Sequence, residues 1–375
     1  MNKLSEYSLF LNNFNLVGST TLVIDNNKFK QVITKGYQSI ENKIPTSPNT
    51  IYKIASISKV IVAIGLLKLV EKKLIDLDKD ISNYLNFKVR NPYFPSKIIT
   101  LRMLLTQTSS ICDTGGFIDN VYKGYFGANQ TDDFIPLEDL LNPNRKHYYN
   151  TFSNNLPGSN FEYSNFGCGI LACVCEKITK IHFRDYIKKV LLDELDIDGG
   201  FRVKDIKHQD LIAAHYKFID NKFSLFRDKD SFIQNECIEY PIGENYRGVA
   251  GGLYISAVDL SKIMEMLMNK GIYQDKKILE IETVNEMESV QWKDNCSDPT
   301  YKQKGLQLII MDDFSKDLLY GHFGNAYGLR SFMLYNEHVG YIFLCNGGDF
   351  VTDEEHMTIV EKEIIQYLVS KTKYN

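Results

Sequence analysis

The chain has 375 residues, 44% of them hydrophobic and 24% charged, with a formal net charge of −4. That length supports a sizeable core without metal or disulfide staples. The balance of charge, with no basic stripe, excludes an obvious nucleic-acid binder.

In chain order, the first nineteen residues carry one lysine and neither a continuous apolar run nor a small-residue cleavage site, so no secretory signal is predicted. Residues 16–24 and 29–34 are β-rich runs joined through Asp25, Asn26 and Asn27, which predicts a hairpin. From 58 to 73, "SKVIVAIGLLKLVEKK" is apolar around most of its circumference and predicts a helix buried on several sides. It is too short to span a bilayer, and no membrane partner is expected. The stretch 76–245 carries helical patterns at 135–141 and 166–178, broken by turns at "NPNR" and "LPGSN". Three more β-rich runs follow at 305–311, 329–335 and 339–346. Residues 353–373 begin with acids and end with lysines, with Ile359, Val360, Ile364 and Leu368 spaced for one helical face.

β-rich runs at both ends with a helical middle predict a single α/β chain of the α+β type. One antiparallel sheet is built from both termini (roughly 1–75 and 246–375) and flanked by helices, with an inserted, mainly helical lobe over roughly 76–245. A cleft between the two lobes is the expected site. The seven scattered cysteines are an odd number in a large chain, which points to a reducing, cytoplasmic compartment.

The chemistry concentrates at the head of the apolar helix, in "YKIASISKV" (52–60). Residues three apart on a helix are neighbours, so Lys59 can reach Ser56 but not Ser58. Ser56 then has a base within reach and the positive end of a helix beside it. By itself Ser-x-x-Lys is common by chance. Two further stretches raise its weight: Tyr163-Ser164-Asn165 between a Pro-Gly turn and an apolar helix, and His322-Phe323-Gly324 between two strand-like runs.

Ser-x-x-Lys, Tyr-x-Asn and His-x-Gly in this order resemble the serine hydrolases related to class C β-lactamases and penicillin-binding proteins. "EKKLIDLDKDISNYLN" (71–86), "ITLRMLLTQTSS" (99–110) and "GGLYISAVDLSKIMEML" (251–267) extend the resemblance over nearly the whole chain. It implies a β-lactamase/transpeptidase-like fold and a cofactor-free serine acyl hydrolase that forms an acyl-enzyme on Ser56. Its substrate would be a small ester, amide or short peptide. An acyl transferase of the same chemistry, or a non-catalytic binding module, are the alternatives. Lys59 and Tyr163 would share the proton work, since an amine normally near a pKa of about 10.4 must be lowered by burial to act as a base. Asn165 would hold Lys59 and a substrate amide oxygen, and His322 would hydrogen-bond near Tyr163. Gly324 would let the strand approach the substrate, and the amides of Asn325 and Ser56 would form an oxyanion hole.

The sequence departs from the family pattern at Gln107 and Ser110, where His and Gly are common. It departs again at Phe323, where a hydroxyl residue often binds a substrate carboxylate. Other signals are weak. "GCGILA" (167–172) follows a loop instead of a strand, so its glycines read as close helix packing and not as a dinucleotide fingerprint. "DLDKD" (76–80) lacks the later residues of a calcium loop. Cys168, Cys173 and Cys175 lack zinc-site spacing and are expected in the core. No metal, organic cofactor or nucleic-acid partner is implied.

Overall fold

Side chains that alternate between two apolar faces build the centre of this chain. The computed structural model describes residues 3–26, 29–234, 236, 238–294, 299–326, 328–350 and 357–372. Its main sheet comprises β1 (Gly18–Asp25), β2 (Phe29–Ser39), β3 (Ile44–Pro45), β4 (Trp292–Lys293), β5 (Gln303–Lys304), β6 (Ile309–Met311), β7 (Leu319–Ala326), β8 (Leu329–Tyr335) and β9 (Val339–Cys345). They are ordered β4-β5-β6-β7-β8-β9-β1-β2-β3, and the printed neighbours pair antiparallel. The sheet is thus assembled from both ends of the chain, as expected.

Register sets what each face carries. Leu22 pairs with Ile342, Ile342 with Met333, and Met333 with His322, so these four share one row and one face. The next row, Thr21, Phe343, Phe332 and Phe323, points the other way. Both faces are covered. On the first, Leu22, Met333 and Ile342 pack with α2 (Ser58–Glu71), α3 (Asn165–Thr179) and α4 (Ala257–Met268) in one core cluster. On the second, Phe332 and Phe343 pack with Tyr7 of α1 (Lys3–Phe10) and with Ile364 and Ile365 of α5 (Ile359–Lys371).

Val60, Ile61, Val62, Ile64, Leu66 and Leu67 of α2 are fully buried, each contributing roughly 1.5–3 kcal/mol of hydrophobic stabilisation. This helix runs through the interior, which is why its sequence has no polar stripe. In α3, a Cβ at Gly169 would lie 2.2 Å from the Tyr246 carbonyl oxygen, so the glycine serves close packing. Cys168, Cys173 and Cys175 are buried in the same core.

Several local expectations are corrected. The middle of the chain also holds two hairpins, Gly116–Ile118 with Val121–Lys123 and His215–Ile219 with Lys222–Arg227. Their strands are short and flanked by charges that mask the alternation. Of the run 305–311 only β6 is extended, because Gln307 turns back at φ 55°. In α5, Ile359 is exposed, whereas Val360, Ile364, Ile365, Leu368 and Val369 are buried. That helix begins with a Thr358–Glu361 capping box; the acids at 353–355 lie outside the described residues.

Candidate active site

Ser56 lies in a short 3-10 turn (Ala55–Ile57) that leads into α2. Ala55, just before it, is held at φ 48°, a left-handed conformation costing a residue with a Cβ about 1–2 kcal/mol. The turn is braced from two sides. Ser58 Oγ donates to the Ala55 carbonyl at 2.6 Å and accepts from Leu253 N at 3.1 Å. From the sheet, β7 comes so close that a Cβ at Gly324 would lie 2.4 Å from the Ile54 carbonyl oxygen. Ser58 is therefore a brace and Ser56 faces the cleft.

Two side chains converge on the Ser56 hydroxyl. Lys59 Nζ is 2.9 Å from Ser56 Oγ, and Tyr163 OH is 2.6 Å from it. Lys59 Nζ also donates to Asn165 Oδ1 at 2.8 Å and to the Ala250 carbonyl at 3.1 Å. Those two oxygens only accept. A neutral Lys59 amine that gives its two protons to them keeps its lone pair facing Ser56. Burial is the largest influence on Lys59 and lowers its pKa to about 8, with Cys168 and Asp113 pulling it back up. Burial also raises the Tyr163 phenol well above its usual value, so near neutrality the amine exchanges its proton more readily.

Asp113 organises this arrangement and has no signature in the sequence. Its carboxylate accepts from Ser164 Oγ (3.0 Å), Asn165 N (2.9 Å), Asn165 Nδ2 (2.7 Å) and Phe166 N (2.8 Å). It thereby holds the positive end of α3, whose N-cap Ser164 accepts from Gly167 N. Asn165 thus turns its oxygen to Lys59 and gives one of its two amide protons to Asp113.

His322 makes its hydrogen bond away from Tyr163, near which one was expected. Its Nδ1 is 2.6 Å from the Phe323 carbonyl oxygen, and its ring centre is 6.4 Å from that of Tyr163 with no hydrogen bond between them among the described residues. Phe323 projects to the opposite face of β7, edge-on to Phe332 at 6.2 Å, while also lining the cleft. It is packed from behind, which alternation along the strand requires. Asn325 is exposed at the same rim.

The cleft has a volume of about 1050 Å³ and an aromatic wall on one side. Phe161 lies 5.6 Å from Trp292 and 5.0 Å from Tyr301, and Tyr301 lies 6.2 Å from Tyr163. Behind this wall sits Lys304, fully buried, which the sequence does not distinguish from its neighbour Lys302. Ser110, where the family pattern has Gly, adopts φ 63°, the region that explains the glycine. Among the described residues no group of His, Cys, Asp and Glu converges as metal ligands would, and no helix is long and apolar enough to cross a membrane.

A serine at the head of a buried helix thus has a buried lysine and a tyrosine on its hydroxyl, beside an antiparallel strand. The sequence profile of the Beta-lactamase family matches residues 13–365, and the chain belongs to that family. Protein flp of Staphylococcus aureus is 28% identical over 178 residues, 48% of this chain and 33% of the relative, so the match spans about a third of that protein. D-amino acid amidase from Ochrobactrum anthropi has a similar fold, with TM-score 0.72 and 18% identity over 98% of this chain and 97% of the other. The octameric penicillin-binding protein homologue from Pyrococcus abyssi has TM-score 0.71 and 23% identity over 92% and 74%.

Proposed function

We propose that this protein is a serine acyl hydrolase in which Ser56 attacks a small ester or amide and becomes acylated. The observation that carries this reading is Lys59 Nζ at 2.9 Å from Ser56 Oγ with Asn165 Oδ1 and the Ala250 carbonyl accepting from it; once neutral, the amine gives its two protons to those oxygens and turns a lone pair to the Ser56 proton. Lys59 takes that proton as Ser56 Oγ bonds to the acyl carbon. Tyr163, donating to Ser56 Oγ in the free enzyme, is placed to pass a proton to the departing group. The backbone amides of Ser56 and Asn325 serve the developing oxyanion. Water then releases the acyl group by the reverse sequence. These residues supply nucleophile, base and acid themselves, so the chemistry calls on no cofactor.

The aromatic wall favours an apolar or aromatic acyl group or side chain. Amides of aromatic D-amino acids join short-chain esters as the first substrates to try, since the amidase of similar fold was seen with D-phenylalanine. The test is a fluorophosphonate probe with mass mapping, followed by p-nitrophenyl esters, D-amino-acid amides and a chromogenic cephalosporin, each with and without an alcohol acceptor. Labelling of wild type but not of Ser56→Ala is expected. An adduct on any other peptide ends the proposal, and turnover only with alcohol present makes the protein an acyl transferase.

A further inference from the structure

Ala55, the residue before Ser56, holds a conformation that its side chain disfavours. Every other non-glycine position with positive φ among the described residues carries a polar side chain, Asn, Asp, Lys, Gln or Ser. Ala55, at φ 48°, has only a methyl group, so no side-chain hydrogen bond compensates the crowding, and a glycine there would be unstrained. That methyl has a place of its own. Ala55 is buried, and two glycines stand against it. A Cβ built on Gly324 of β7 would lie 3.4 Å from the Ala55 Cβ, and one built on Gly251 would lie 3.6 Å from the Ala55 Cα and carbonyl carbon. The methyl therefore faces Gly324 while Gly251 backs the main chain. Hydrogen bonds tie the chain on either side: Ile54 N donates to the Leu253 carbonyl oxygen at 3.0 Å, and Ser58 Oγ donates to the Ala55 carbonyl. Strain of this kind persists only where the surroundings over-determine it, and it clusters where a site needs one fixed geometry.

We propose that Ala55 is a positioning residue for acylation: its methyl, set against β7, confines the backbone at this position to one conformation and so aims Ser56 at Lys59, Tyr163 and the acyl carbon. The proposal rests on reading Ser56 as the nucleophile. The Ser56 hydroxyl is shared by Lys59 at 2.9 Å and Tyr163 at 2.6 Å, and the attacking oxygen must meet both and the substrate at once. A misplacement of about 1 Å can cost a reaction about a hundredfold. On its far side Ser56 is fixed by buried Ile57, which leads into α2. On its near side the only constraint within the chain is Ala55. Glycine at 55 would remove both the strain and the confinement, because it occupies the two halves of the φ range about equally. The cost then falls on the orientation of the serine and not on the fold, since relief of strain offsets the lost methyl contact and the extra freedom of the unfolded chain.

The test is fluorophosphonate labelling of Ser56 in the full chain over a range of probe concentrations, which separates the maximal rate from the half-saturating concentration, with urea unfolding alongside. For Ala55→Gly the maximal rate is expected to fall about tenfold, with half-saturation within about twofold of wild type and the urea midpoint held or raised. Ala55→Ser keeps a β-carbon and its limits on the backbone, and is expected to label within about threefold of wild type. A slow glycine variant of full stability beside a fast serine variant supports the proposal. A glycine variant that labels at the wild-type maximal rate overturns it, whatever its stability, and assigns the methyl to packing. A folded serine variant as slow as the glycine one also overturns it, because confinement of the backbone is then not what the rate follows. A wild type that does not label overturns the nucleophile itself, and this proposal with it.

Discussion

Replacing Asp113 by alanine removes the acceptor of four hydrogen bonds that tie the start of α3 to the site. Buried hydrogen bonds to a charged group are worth roughly 1.5–3 kcal/mol each, and a carboxylate at a helix N-terminus adds about 0.3–1 kcal/mol. Asp113 is partly exposed, so water recovers much of this, and a net destabilisation of about 2–4 kcal/mol is expected. Asp113→Asn, which keeps one acceptor oxygen, should lose about half as much. The catalytic effect has two parts of opposite sign. Asn165 is no longer held with its oxygen towards Lys59, which should slow acylation by about a hundredfold. The carboxylate that raises Lys59 is also gone, so the residual activity should rise with pH through a midpoint below about 8. Urea unfolding measures the first quantity, and labelling rate against pH the other two. A destabilisation below about 0.5 kcal/mol with an unchanged labelling rate would refute this account of Asp113.

Ser58→Ala should leave labelling of Ser56 intact while costing about 1–3 kcal/mol in urea, because the buried Leu253 N–H loses its acceptor; loss of labelling with full stability would reverse the roles of the two serines. Phe323→Thr should raise the ratio of kcat/KM for a cephalosporin to that for a neutral ester by about tenfold, the effect of one restored hydrogen bond to a carboxylate. A ratio that stays put assigns Phe323 to packing on Phe332. His215 is fully buried with no hydrogen-bond partner for its ring nitrogens among the described residues, beside Lys53 and Arg227, and burial is the chief cause that lowers it to about 3. Its folded value lies below its unfolded one, so this stability is complete above about pH 6.5 and is lost as pH falls towards 3. At pH 5.5 the loss from this one histidine should be about 1.4 kcal/mol, and His215→Leu should flatten the urea midpoint between pH 7 and 5.5. An unaltered slope would show that His215 takes up no proton on unfolding.

Features that depend on short-range geometry could be read along the chain. The i, i+3 spacing brings Lys59 to Ser56 on any helix. The apolar circumference of 58–73 buries α2, and the β-rich runs after 329 form β8 and β9. Ser56, Lys59, Tyr163 and Asn165 were legible because three short motifs occur in one order, and the structure brings all four within hydrogen-bond reach. Tertiary structure alone decided the rest. Asp113 meets Asn165 from 52 positions away, and the Ala250 carbonyl meets Lys59 across 191. Neither carries a local pattern, since an acceptor's role depends on which donors the fold delivers to it. The same holds for Lys304 against Lys302: two lysines in one polar run, of which the first is half-buried and pairs with Asp313 while the second is shut behind an aromatic wall. Burial, which lowers the proton affinity of both Lys59 and Lys304, belongs to the packed chain and to no stretch of it.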